Sequence, residues 1–267
     1  MLVIVPLDFS ENSIKALEFA LAIGDRRNAK IVLVHTVGMT SNSTSDVAGA
    51  PNQRFAEAES QLKTLLQTYQ SADSEIHFEI VDGELSTTVL RIAKDEELPL
   101  IVMGMQGASG IKNKLIGSTT LDLIRVAECP VLVVPAQAHV SQVKKVTLAL
   151  DFADQEEKFI DWIVDMSRRW SLGLEILHVQ TKSDFNGERP ALSMERYLQK
   201  KYPDIQTRIH TFYASAAVEG LELYMAEHNN MILVMCHQHE NLWEQILKRS
   251  QSVQMEFHTH IPLLIMR

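Results

Sequence analysis

Short apolar runs alternate with longer amphipathic segments along the first half of the chain. Continuous apolar runs flanked by polar residues predict buried strands, and apolar residues three or four positions apart predict helices. Residues 10–13, Ser-Glu-Asn-Ser, form a good helix start, and Ile14, Leu17 and Leu21 then recur on one face. Strands are predicted near residues 2–7, 30–36, 76–81, 100–103 and 131–134, and helices near 11–27, 52–70, 85–97 and 115–127.

The second half of the chain repeats the first. Asp8 and His35 each have a counterpart 143 positions later, and Gly104 and Pro130 each have one 132 positions later. These counterparts are Asp151, His178, Cys236 and Pro262. Two constant offsets, separated by one deletion of about eleven positions, indicate two tandem copies of one unit. The predicted copies are residues 1–138 and 143–267.

The alternation of strands and helices predicts an α/β fold with two tandem Rossmann-like domains, each a five-stranded parallel sheet flanked by helices. Ligands of such sheets bind beyond the carboxyl ends of the strands. Asp8, Thr36 and Gly104 each follow a predicted strand, so we expect them to converge. The apolar last strands, 131–134 and 263–266, need a partner, and we expect the copies to pack through them as an intramolecular pseudo-dimer.

Composition and charge narrow the classes of function. The chain has 267 residues, of which 46% are apolar, and a formal net charge of −9. This acidic balance argues against binding to nucleic acid or to an anionic membrane surface. No apolar stretch is long enough for a bilayer span, the N-terminus is typical of a strand rather than a signal peptide, and two cysteines suit a reducing compartment. We therefore expect a cytoplasmic protein with neither nucleic-acid nor membrane partners.

A glycine-bearing loop carries the most informative chemistry. Gly104 and Gly107 follow the apolar run 100–103, and Gly117 and Ser118 come further along the chain. Glycine lets the backbone approach a phosphate closely, and a helix N-terminus supplies amide groups and partial positive charge. The pattern therefore indicates a nucleotide or phosphate site.

These features resemble the universal stress protein family in its tandem two-domain form, with an adenine nucleotide alpha hydrolase-like fold. The resemblance rests on residues 5–10, the strand-end His35, the G-x2-G-x9-G-[S/T] loop and residues 129–135. In ATP-binding members, the resemblance implies, Asp8 holds ribose or adenine edges and the backbone of Thr36 lines the adenine pocket. The glycine loop would wrap the phosphates through Met103, Gly104, Gly107, Gly117, Ser118 and Thr119. The implied ligand is ATP or a related adenine nucleotide, with or without Mg²⁺.

The second copy departs from this pattern. Cys236, His239 and Arg249 stand where the first copy has its three glycines, although Ser250 and Asp151 are kept. A side chain at these positions would block close approach of phosphate, and the backbone there could require a positive φ. We therefore expect a second copy that binds no nucleotide and acts as a packing partner.

Several alternatives stay open at this stage. The chain could be a nucleotide-free protein-interaction module, or a weak ATPase, although neither a P-loop nor a nucleophile–base grouping is legible. It could instead be a metal-responsive regulator, although the spacing of the candidate ligands matches no strong zinc pattern. Those candidates are Cys236, His237, His239, His258 and His260. No catalytic residue is predicted, and His35 and His178 are interpreted as hydrogen-bonded structural residues.

The segment 39–53 is rich in Ser, Thr, Asn and Gly, and it is either a loop over the pocket mouth or a disordered connector. If nucleotide is a regulatory ligand, it would order this segment and change the choice of an unknown protein partner or of a second copy. Lys112 and Lys114 could approach phosphates or remain solvated loop charges.

Overall fold

The computed structural model describes residues 1–25, 29–37, 51–69, 75–107, 116–150, 157–181, 188–236, 240–249 and 260–266. These residues form one ten-stranded sheet with helices on both faces. The strand order is β3-β2-β1-β4-β5-β10-β9-β6-β7-β8, so each half contributes five neighbouring strands in the same relative order. The α/β class expected from the alternating pattern is confirmed.

The two halves contain equivalent elements in the same sequence. The first half consists of β1 (Leu2–Pro6), α1 (Glu11–Asp25), β2 (Lys30–Thr36), α2 (Pro51–Tyr69), β3 (Glu75–Val81), α3 (Leu85–Lys94), β4 (Pro99–Gly104), α4 (Ser118–Val126) and β5 (Val131–Val134). A 3₁₀ turn at Val140–Gln142 connects the halves. The second half consists of β6 (Lys145–Ala149), α5 (Glu157–Trp170), β7 (Gly173–Gln180), α6 (Glu188–Lys201), β8 (Thr207–Tyr213), α7 (Ala217–Glu227), β9 (Met231–Cys236), α8 (Glu240–Arg249) and β10 (Leu263–Met266).

The halves meet where their last strands pair. β5 and β10 run antiparallel, with Leu264 opposite Leu132, whereas every other strand pair in the sheet is parallel. Both strands are fully buried, so pairing removes two apolar sheet edges from water at once. This is the contact expected from the sequence, and it merges the two five-stranded sheets into one.

Apolar side chains fill the space on both faces of the sheet. One face is covered by α1, α2, α5 and α6, and the other by α3, α4, α7 and α8. α1 shows how the pattern produces the packing, because Ala16, Leu17 and Ala20 share one face and are all fully buried. None of the helices in the described ranges is long and apolar enough to cross a bilayer.

One polar cluster lies in the second half, where α7 covers the sheet. Glu175 on β7 is buried and forms an ion pair with Lys145, and its Oε1 lies 2.7 Å from Nε2 of His210. Lys145 also donates a hydrogen bond to the hydroxyl of Tyr224 at 3.1 Å. Burial opposes the charged form of Glu175, but the hydrogen bonds from Lys145 and Tyr224 prevail and lower the pKa of this carboxyl below its ordinary value.

Some predicted boundaries were wrong. α4 begins at Ser118 rather than near 115, because Ile116 is buried as part of the preceding loop and Gly117 is the N-cap. α3 ends at Lys94 rather than near 97. α2 begins at Pro51, a residue suited to the first helical position, so the end of the predicted loop 39–53 is helical. Residues 39–50, Lys112 and Lys114 lie outside the described residues.

Candidate functional site

A cavity of about 370 Å³ opens at the carboxyl ends of β1, β2 and β4. Its volume falls within the range of small-molecule sites, roughly 300–1,000 Å³. All eight residues singled out from the sequence line it, although they come from separate segments of the chain. They are Asp8, Thr36, Met103, Gly104, Gly107, Gly117, Ser118 and Thr119. The convergence that the strand-end rule predicts for Asp8, Thr36 and Gly104 is therefore observed.

The turn after β1 fixes the position of Asp8. The backbone N–H of Ser10 donates to Asp8 Oδ1 at 3.0 Å, and the N–H of Asp8 donates to the hydroxyl of Ser13 at 3.4 Å. Ser10 in turn caps α1, since its hydroxyl accepts from the N–H of Ser13 at 3.2 Å. Phe9, between them, has a positive φ of 61°. The carboxylate is thus held at the cavity wall by the same residues that begin α1.

Gly104 and Gly107 each have a close neighbour where a side chain would lie, and neither has an unusual backbone. A Cβ on Gly104 would lie 2.7 Å from backbone atoms of Asn12, so its absence lets α1 sit directly over the end of β4. A Cβ on Gly107 would lie 2.6 Å from Asp8 Oδ2. Neither glycine has a positive φ, and neither does Gly117, so the backbone reason given from the sequence was wrong.

The N-terminus of α4 forms a second wall of the cavity. Gly117 is the N-cap and gives the helix no side-chain cap, while its own N–H donates to the carbonyl of Met105 at 2.9 Å. The buried hydroxyl of Thr120 donates to the carbonyl of Gly104 at 3.1 Å and so ties the helix to the end of β4. Ser118 and Thr119 are exposed at the first turn. The amide groups of such a turn favour an anion.

The connection from β3 to α3 contributes residues that the sequence reasoning missed. Glu84 and Ser86 line the cavity, and the carboxylate of Glu84 accepts hydrogen bonds from Ser86 at 2.8 Å and Thr87 at 3.0 Å. These two bonds lower the pKa of Glu84, which keeps the carboxyl ionised. The strand-end rule could have found this segment, because it follows the predicted strand 76–81. The other missed lining residues are Pro6, Leu7, Ser13, Leu85, Gln106, Thr120 and Asp122.

The charges around the cavity are negative. Asp8, Glu84 and Asp122 line it, and the described lining residues include neither lysine nor arginine. An anionic ligand would meet like charge at these three described residues.

A sequence profile of the universal stress protein family matches residues 1–135, just over half of the chain. The chain belongs to this family. A universal stress protein of Methanocaldococcus jannaschii is 27% identical over 141 residues, which cover 49% of this chain and 80% of that one. One from Bacillus subtilis is 28% identical over 143 residues, covering 49% of this chain and 96% of the other.

Solved structures extend the likeness in fold to both halves. A universal stress protein from Archaeoglobus fulgidus superposes with a TM-score of 0.77 at 18% identity, covering 100% of this chain and 98% of the other. A chain from Pseudomonas aeruginosa has a TM-score of 0.66 at 16% identity, covering 99% and 92%. This universal stress protein therefore shares the fold of both its halves with known structures.

Two histidines of this universal stress protein have matching structural roles. The Nδ1 of His35 lies 2.7 Å from the carbonyl oxygen of Leu7, and the Nδ1 of His178 lies 3.0 Å from that of Leu150. Because a carbonyl can only accept, Nδ1 carries the proton in both rings. Each histidine ties the end of one strand to the end of its neighbour, as the structural interpretation predicted.

In the second half of this universal stress protein, two described residues are apolar where their first-half counterparts line the cavity. Val179 stands at the position of Thr36. A Cβ on Gly220 of α7 would lie 2.4 Å from Val179 Cγ1, so the absence of a side chain there lets α7 pack directly on the end of β7. Cys236, at the position of Gly104, is fully buried, and so is Trp243 of α8. Asp151, His239 and Ser250 lie outside the described residues.

The candidate metal ligands are divided between described and undescribed parts of the chain. Cys236 is buried at the end of β9, and His260 Nδ1 lies 3.4 Å from the carbonyl oxygen of Gln137. The described residues contain no group of three possible metal ligands, and His237, His239 and His258 lie outside them, so the metal alternative stays open.

Proposed function

We propose that the first half of this universal stress protein binds ATP, or a related adenine nucleotide, as a regulatory ligand. The supporting observation is the cavity itself, in which all eight residues implied by the family resemblance meet at the carboxyl ends of three parallel strands. Ligands of open α/β sheets bind at this edge.

The two walls of the cavity suit the two ends of a nucleotide. At one wall, the backbone amides of the first turn of α4 and the hydroxyls of Ser118 and Thr119 offer donors to phosphate oxygens. At the other, Asp8 offers a carboxylate to ribose hydroxyls, and Thr36 and Met103 stand at the ends of β2 and β4 beside it. A ligand with both an anionic tail and a polar sugar matches this arrangement.

A divalent cation belongs to the proposal. The described lining carries three carboxylates, and hard cations such as Mg²⁺ bind through carboxylate and phosphate oxygens. Mg²⁺ bound beside the phosphates would offset the repulsion that the acidic lining otherwise creates. Binding should therefore be tighter with Mg²⁺ than with a chelator.

The second half serves as a packing partner in this proposal. The proposal is supported by the apolar side chains of Val179 and Cys236 at the positions of Thr36 and Gly104, and by the close packing of Gly220 on Val179. The proposed domains are residues 1–138 and 143–267, joined through β5 and β10. A cytoplasmic location stays a prediction.

Calorimetric titration with ATP, ADP and AMP tests the proposal, with and without Mg²⁺. The test variant is Gly117→Val, because a Cβ there meets its neighbours at 3.6 Å or more and the residue has an extended backbone that valine accepts. The matched control is Gly173→Val at the start of β7, where a Cβ would also make only ordinary contacts. We expect binding to the wild type and to the control, and at least a tenfold loss in Gly117→Val.

Phosphate release measured in the same samples separates binding from hydrolysis. A rate above background that disappears in Asp8→Ala would favour the weak ATPase. Absence of heat with every nucleotide would instead favour the nucleotide-free interaction module.

A further inference from the structure

A second concave surface lies at the opposite end of the first half from the nucleotide cavity. This groove has a volume of about 740 Å³ and is bounded by the C-terminal ends of α3 and α4, the starts of β4 and β5, α5, and the end of β10. Both halves of the chain therefore contribute to it. α3 and α4 begin beside the nucleotide cavity and end at the groove.

The floor of the groove is apolar and partly open to water. Leu98 and Val126 are 47% and 48% exposed, which places them among the most exposed large apolar side chains of the described residues. Trp162, which is half-buried, and Pro130 continue the surface. Burial raises the pKa of the Cys129 thiol to about 11, so this residue adds a neutral apolar group. These side chains give the groove an apolar floor against which the apolar side chains of a ligand can be buried.

The rim of the groove is acidic. Glu96, Glu97 and Glu128 line it, and Lys94 is the one cation among its lining residues. None of the three carboxylates forms an ion pair or a side-chain hydrogen bond with another described residue. Three negative charges are thus available to a ligand around an apolar floor, and covering that floor would be favourable because it removes apolar surface from water.

We infer that this groove binds a basic segment of a partner protein that carries apolar anchor side chains. Apolar anchors would cover Leu98, Val126 and Trp162, and lysine or arginine side chains beside them would reach the rim carboxylates. Electrostatics disfavours the other large occupants. Nucleic acid and anionic membrane surfaces carry the same sign as the rim. A second copy of this chain carries a net charge of −9 and would be repelled.

The probe for a direct test is a fluorescein-labelled amphipathic peptide with lysine on one face and leucine on the other. A peptide with glutamate in place of lysine serves as its control. Fluorescence anisotropy is measured without nucleotide, so the result does not depend on the proposed function. Trp162 emission gives a second reading, because Trp170 and Trp243 are buried and Trp162 alone of the three lines the groove.

The decisive variant is the double substitution Glu97→Lys with Glu128→Lys. Its matched control is Glu195→Lys with Glu227→Lys, which changes the net charge equally on α6 and α7, outside the groove. We expect the basic peptide to bind the wild type and the control and to shift Trp162 emission. The groove variant should bind it at least about tenfold more weakly.

Two results would overturn the inference. One is failure of the basic peptide to bind the wild type. The other is equally weakened peptide binding in both double variants, which would mean that the overall charge of the protein, and not the groove, attracts the peptide. Val126→Ser, which keeps every charge, checks the apolar part and should also weaken binding, and circular dichroism establishes that each variant is folded.

Discussion

Gly107 lies so close to Asp8 that a Cβ on the glycine would stand 2.6 Å from Oδ2 of the carboxylate. The two residues are about a hundred positions apart in the sequence, yet the loop at Gly107 limits where the side chain of Asp8 can lie. The absence of a side chain at Gly107 therefore helps to determine where the Asp8 carboxylate can lie in the cavity.

Gly107→Ala should weaken nucleotide binding while leaving the fold intact. The new methyl group would meet only the end of a side chain, which can rotate away, so we expect unfolding free energy to fall by about 1 kcal/mol or less. Because Asp8 would be displaced, affinity for ATP should drop at least about tenfold, or about 1.4 kcal/mol. Titration calorimetry and urea denaturation check the two halves of the prediction. Unchanged affinity would mean that the position of this carboxylate does not matter for binding.

Gly104→Ala, in contrast, should mainly lower the stability of the fold. Here the methyl group would lie 2.7 Å from the backbone of Asn12, which cannot move without shifting α1. Overpacking of this kind costs about 1–3 kcal/mol. Urea denaturation should show that loss even without ligand, whereas Gly173→Ala, where a Cβ would make only ordinary contacts, should stay near the wild type. A wild-type stability for Gly104→Ala would contradict the close α1–β4 packing.

Two neighbouring threonines should separate stability from binding. Thr120→Val removes the buried hydroxyl that bonds the carbonyl of Gly104, and we expect a loss of about 1 kcal/mol of unfolding free energy. Thr119→Val changes an exposed side chain and should leave stability within about 0.5 kcal/mol, yet weaken ATP binding. Denaturation and titration of both variants check this. Equal losses of stability would contradict the assignment of Thr120 to stability and of Thr119 to binding.

Glu175 should make the second half sensitive to acid. Its pKa is lowered in the folded state, so its stabilisation is present in full above the ordinary carboxyl value of 4.5 and is lost as the pH falls through the lower folded-state pKa. Glu175→Gln should cost on the order of 2 kcal/mol at neutral pH, since Lys145 loses its charged partner. Below pH 4.5 the variant and the wild type should converge. Denaturation curves measured across this range test the prediction, and a constant difference would contradict it.

The strands could be predicted because helices cover both faces of the sheet, so each strand is a nearly continuous apolar run. The pattern predicts a strand at 30–36, and β2 is found at Lys30–Thr36. The convergence of Asp8, Thr36 and Gly104 followed from topology alone, since parallel strands share a carboxyl edge. Pairing of β5 with β10 followed from their apolar character.

What the sequence could not supply are contacts that depend on tertiary distance. Nothing in the spacing of Gly104 indicates that Asn12 presses against it, so its role was attributed to a phosphate and to backbone freedom. The start of α4 was misjudged because Ile116 continues the apolar pattern of the helix while packing into the core from the preceding loop. Glu84 carries no motif of its own, and only its place after the strand 76–81 points to the site.

The most direct test of a nucleotide site in the first half is mass spectrometry of small molecules released from freshly purified protein, wild type beside Gly117→Val and Gly173→Val. We predict an adenine nucleotide from the wild type and from Gly173→Val, and none from Gly117→Val. A wild type that releases no nucleotide and shows no thermal shift with added ATP and Mg²⁺ would contradict the proposal, because a ligand of the native state must stabilise it.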